Sequence, residues 1–154
     1  MIFGKKPPMQ APDSNGWLRK TDLPEFFERE PAYDLIEVDE ESGFPKSLRF
    51  KFKHFEQTLT VASLIGNDHD ISRGWLTAAF NPDPAVDLAF ANSFNRRRRL
   101  ACATIDENGA CHMHSHFPLS GLRKRDAELM LAVYIEGFEK ALVELNALRN
   151  TRAH

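Results

Sequence analysis

The chain has 154 residues, enough for one domain with a real core and too few for two of ordinary size. Its 42% hydrophobic and 27% charged residues are ordinary for a soluble globular protein, and a net charge of −2 supplies no global field that would draw in DNA or acidic membranes. No apolar run approaches the ~20 residues of a bilayer-spanning helix, so no such helix is expected.

The opening, Met1-Ile2-Phe3-Gly4-Lys5-Lys6-Pro7-Pro8, lacks the apolar centre of a secretory signal. Cys102 and Cys111 make no disulfide framework and, with no export signal, are expected to be reduced thiols; the cytoplasm is the expected location. Residues 1–16 hold three prolines, two glycines and little apolar content, the composition of a flexible tail. Ile2 and Phe3 bury too little area to anchor it to a membrane.

A single domain is expected over residues 17–150. Asp22, with Glu25 three residues on and Pro24 between them, has the spacing of a capping box for a short helix whose apolar side is Leu23, Phe26 and Phe27. Pro31 ends it. A strand from Tyr33 to Asp39 and a turn at Glu40–Gly43 follow. Leu48, Phe50 and Phe52 then alternate with Arg49, Lys51 and Lys53, the period of a sheet with one buried and one wet face. Leu59–Leu64 and Gly74–Phe80 read as further strands, with the Asn- and Asp-rich residues 66–73 as a loop between them.

Asn81 or Asp83 is placed to cap a second helix, with Pro82 or Pro84 at its first position. Val86, Ala89, Phe90, Ser93 and Phe94 form its core stripe. Leu100–Ile105 and Ala110–Phe117 pair as a hairpin through Asn108-Gly109. From about Arg123 a long helix carries Ala127, Met130, Leu131, Tyr134, Phe138, Ala141, Leu142 and Leu145 on one side. Residues 151–154 are expected to fray. The order predicts an α+β fold, a mainly antiparallel sheet with helices packed on it.

Three clusters could carry chemistry. His112, His114 and His116 share one strand face, with Cys111, Met113 and Ser115 on the other. Neighbouring histidines ~6.6 Å apart could clamp one ion, but the outer two, ~13 Å apart, cannot easily join in, and the sequence names no further ligand. The plainer reading is a polar strand face without metal, leaving His112 and His114 as the candidate ligands. Cys111 and His112, adjacent on a strand, face opposite ways and make no dyad, so Cys102, Cys111 and Met113 are read as small hydrophobes between sheet and helix.

Arg96-Arg97-Arg98-Arg99 is the one dense basic run. On a helix at most two share a face, and two phosphate contacts give a salt slope of only about −2. The run therefore reads as helix capping and a contact patch for protein, with weak nucleic-acid binding as the lesser alternative. Asp68-His69-Asp70 is read as Asx-turn chemistry. No phosphate loop, nucleophile elbow or paired-carboxylate motif is present, so no enzyme and no cofactor are expected.

Asn92-Ser93-Phe94-Asn95-Arg96, then Arg99, a strand, Asp106–Gly109, a second strand, Leu119-Ser120-Gly121 and a helix together resemble the YbjN family, bacterial proteins to which a role in regulating sensory transduction is ascribed. The resemblance covers roughly residues 46 to 145 and rests on spacing. It implies the fold of type III secretion chaperones, frequent pairing as homodimers, and a surface that holds a protein segment, with no catalytic residues to carry over. The family's second hairpin strand commonly carries acidic or apolar residues where this chain has His112, His114 and His116, and its paired glycines are here Ser120-Gly121. The reading is then a non-enzymatic, homodimeric regulator or chaperone-like adaptor. Arg96–Arg99 are its contact patch and Tyr134, Phe138 and Leu142 its dimer stripe, while Asn92 and Asn95 fix the helix-to-strand junction. A metal-binding protein built on the three histidines is the alternative.

Overall fold

A computed structural model describes residues 16–53, 58–67, 70–97 and 100–153. A 3-10 turn at Lys20–Asp22 leads into α1 (Leu23–Arg29), followed by β1 (Tyr33–Glu41), β2 (Phe44–Phe52), β3 (Thr60–Asn67) and β4 (Asp70–Ala79). After α2 (Leu88–Asn95) come β5 (Cys102–Ile105), β6 (Cys111–Pro118) and α3 (Lys124–Ala153). The strands form one six-stranded sheet in the order β1-β2-β3-β4-β6-β5, antiparallel at every pairing. The expected α+β class is observed.

All three helices sit on one face of this sheet. Leu48, Phe50 and Phe52 of β2, Leu76 and Ala78 of β4, and Met113 and Phe117 of β6 point into the layer beneath them and are buried. Phe27 of α1 packs at a tilt against Phe50 at 4.9 Å and against Tyr33 at 5.4 Å, closing one end of the core with aromatic rings. Phe117 meets Tyr134 of α3 at 5.2 Å at the other. Such ring pairs add about 0.5–1.5 kcal/mol each beyond their buried area. Gly74 makes this packing possible: a Cβ there would lie 2.8 Å from the Phe117 ring.

Several boundaries differ from expectation for local reasons. Asp22 does not cap α1. Its backbone is already helical (φ −82, ψ −18), and its carboxylate reaches back to the Arg19 N–H at 2.9 Å, whereas a cap residue needs extended backbone. Strand β1 runs on to Glu41 because Ser42 and Gly43, with φ of 56 and 83, make a two-residue turn of the kind that suits the strand twist. The expected loop at 66–73 is largely strand: β3 continues to Asn67 and β4 starts at Asp70. Exposed Asn67, Ser72 and Arg73 mark wet strand ends there, while Ile71 is buried. Asp68 and His69 lie outside the described residues, as does the tail over residues 1–15.

Helix α2 begins later than expected. Asp83 precedes Pro84, which disfavours helical backbone, so its carboxylate instead accepts the Ala85 N–H at 2.9 Å in a turn. Asp87 is the cap, accepting the Phe90 N–H at 2.8 Å. At the other end of the chain α3 continues through Ala153, past the point where fraying is expected. Among the described residues no helix is long and apolar enough to cross a membrane.

Candidate protein-binding surface

Because every helix among the described residues lies on one side, none of them covers the other side of the sheet, and strand register fixes what it displays. One row runs Glu37, Arg49, Val61, Thr77, His114, Cys102 across neighbouring strands. The next runs Asp39, Ser47, Ser63, Trp75, His116. Ile65 and Arg73 stand beyond them, and His112 pairs with Ala79 and Thr104 on the other flank. Val61, Ser63, Ile65, Trp75, Thr77 and His114 are half-buried, so the middle of the face is a mixed strip in which apolar Val61, Ile65 and Trp75 stand among polar Ser63, Thr77 and His114.

The two ends of the strip differ in chemistry. At the β1 end Arg49 bridges Asp39 at 3.2 Å and Glu37 at 3.6 Å, and the Ser47 hydroxyl donates to Asp39 at 3.0 Å. These exposed pairs are worth little in stability, but they order a polar rim. At the β6 end the Trp75 and His116 rings lie 5.4 Å apart, and His116 meets His114 edge-on at 5.6 Å.

The expected split of β6 is observed: Cys111, Met113 and Ser115 are buried, and the three histidines are on the open face. The structure does not bring all three together as one ligand set. His112 Nε2 is bound to Asp106 Oδ2 at 2.9 Å, at the hairpin turn. That bond, together with the Ala110 and Asn108 N–H groups, holds the Asp106 carboxyl below its usual range. Among the described residues no three of His, Cys, Asp and Glu are grouped so as to hold an ion.

Cys102 departs from expectation. It packs on the open face, directly across the hairpin from His114, with Sγ 3.3 Å from Nε2 and 3.4 Å from Nδ1. Burial raises the Cys102 thiol. Burial also lowers His114, helped by the charges of His116 and His112. Both shifts favour the uncharged partners and work against the thiolate–imidazolium pair of an activated nucleophile. Counting outward from the Asp106–Gly109 turn reveals the pairing, since Ile105 opposite Cys111 sets Cys102 opposite His114. Cys111, by contrast, is in the core as expected, its thiol pushed up to about 11 by burial against a small opposing pull from Arg149.

The remaining candidates separate. Arg96 and Arg97 are exposed in the turn after α2, while Arg98 and Arg99 lie outside the described residues. Asn95 fixes the helix-to-strand junction, donating to the Ala103 carbonyl at 2.8 Å and accepting the Ala103 N–H at 2.7 Å. Asn92 is exposed and contributes its carbonyl to the Arg96 N–H. Phe138 and Leu142 are 0% and 2% exposed, and Tyr134 is half-buried on Phe117, so these three belong to the monomer's own core rather than to an outward dimer stripe. A sheet-facing and a partner-facing apolar row have the same period, so periodicity alone does not tell one side of α3 from the other.

No protein-family model matches the chain, and no curated protein matches it.

Proposed function

We propose that this chain is a non-enzymatic protein-binding regulator or chaperone-like adaptor of the YbjN kind, working in the cytoplasm as a homodimer. The partner's extended or apolar segment lies along the uncovered sheet face and is held without turnover. The observation that carries the reading is the one-sided placement of the helices, which leaves Val61, Ile65, Trp75 and His114 half-buried on an open surface between an ionic rim and an imidazole flank. The aromatic pair supplies anchoring area, and the ionic rim supplies orientation.

A photo-crosslinking residue at Thr77, in the middle of that face, tests this in native cell extract. A discrete protein adduct that disappears when Trp75→Ala is added, and that is not formed from the same probe at exposed Asp126 of α3, supports the reading. Equal labelling from both positions, or none from Thr77, sinks it.

A further inference from the structure

Helix α3 has a second apolar row that its own sheet does not use. Leu129, Val133 and Val143 are 58%, 54% and 48% exposed, the only large hydrophobics on the described part of this helix left so open. At 100° per residue they fall, with Glu136, Lys140 and Ala147, within about 40° of one line, opposite the buried Phe138. Glu136 and Lys140 form an ion pair at 3.0 Å in the middle of the row.

The row is symmetric about its centre. Counting from Phe138, Glu136 and Lys140 are each two residues away, Val133 and Val143 five, Leu129 and Ala147 nine. An antiparallel helix pair with its twofold axis beside residue 138 therefore sets Val133 on the partner's Val143 and Leu129 on the partner's Ala147. It also sets Glu136 against the partner's Lys140, closing a ring of alternating charge around the axis. Apolar meets apolar and acid meets base at every one of these positions, as a self-complementary interface requires. What matters is that the two charges are opposite in sign: with the charge reversed at one of the two positions only, like charges would meet across the axis.

We propose that this outward row of α3 is the surface on which a second copy of the chain docks, antiparallel and centred beside Phe138. This rests on the homodimer in the proposed function and gives it an interface. The small side chains and the short apolar stretch, roughly 27 Å of helix, make a modest contact and hence a reversible dimer.

Sedimentation equilibrium of the full chain over a range of concentrations is the test. The wild type should climb from 17.6 kDa toward twice that mass. Val133→Asp should weaken association at least about tenfold by placing a carboxylate in the contact. Glu136→Lys should weaken it about fivefold, and Glu136→Lys with Lys140→Glu should restore it, because the swapped charges again meet opposite signs across the axis. All the substituted side chains are at least half exposed in one chain, so far-ultraviolet circular dichroism should stay that of the wild type. A dimer indifferent to Val133→Asp, or a charge swap without rescue, overturns this interface and leaves the homodimer standing. A wild type that remains at the single-chain mass throughout overturns both.

Discussion

Strand β6 carries both faces of the sheet within eight residues, and the two could hardly be used more differently. Cys111, Met113, Ser115 and Phe117 lie under the helices and are nearly without exposure, while His112, His114 and His116 look out from an uncovered surface. The backbone alternation is the same for both sets. What separates them is whether a helix covers the face. The covered face is specified by shape, down to a glycine that makes room for one ring. The open face is specified by polarity and hydrogen bonding, so it can change its chemistry at small structural cost, and a binding surface can diverge there while the scaffold persists.

By that contrast, the largest effects come from the covered side. Phe138→Ala removes a ring with 0% exposure from between α3 and the sheet and should cost about 3–5 kcal/mol in denaturant unfolding without changing the mass of the particle. A Phe138 variant with wild-type stability and altered association would return this residue to an interface. Gly74→Ala comes next. Its Cβ would press on the Phe117 ring at 2.8 Å and approach the Ser63 carbonyl at 3.1 Å. The ring is buried and cannot swing away, so a loss of about 1–3 kcal/mol is expected. A neutral result would mean that the core beneath β4 yields more than its packing implies.

The same contrast governs how much can be read from the residues alone. Leu48, Phe50 and Phe52 announce β2 because apolar residues alternating with lysine and arginine suit a half-buried strand and little else, and Asn108-Gly109 announces the last hairpin. Asn95 reads as the junction residue, and its paired bonds to Ala103 bear that out. Two kinds of feature are not legible. Polar strand ends such as Asn67 and Asp70 look like loop, since a wet strand and a turn draw on similar residues. Cys102 looks like core from its own character, and only the register counted outward from the Asp106–Gly109 turn shows it opposite His114 on the open face. For α3, periodicity shows that the helix is apolar on one side but not which apolar row its own sheet takes. For the open surface, alternation marks a wet face on β2, but Val61, Ile65 and Trp75 stand on the same face of β3 and β4, so the residues of the central strands do not show which of their faces a helix takes.

The smallest of the expected effects lies on the open face and concerns pH. His114 is held below the ordinary histidine value of 6.5, first by burial and then by His116 and His112. A histidine with a lowered folded-state value binds its proton more weakly in the folded chain than in the unfolded one, so acid favours unfolding. The loss begins as the pH falls through 6.5, where the unfolded chain starts to gain the proton, and is complete below the folded-state value. Above 6.5 the group contributes no pH dependence. His114→Gln removes the titration while keeping a polar side chain beside Cys102. Melting temperatures of the two proteins should therefore run parallel near pH 8 and converge or cross on descent to about pH 5, the wild type falling more steeply. Because the ring is partly wet, the difference should be modest, well below that of either core substitution. Parallel curves over the whole range would mean that His114 is as free to accept a proton as an isolated imidazole, and that the open face does not shield its own centre.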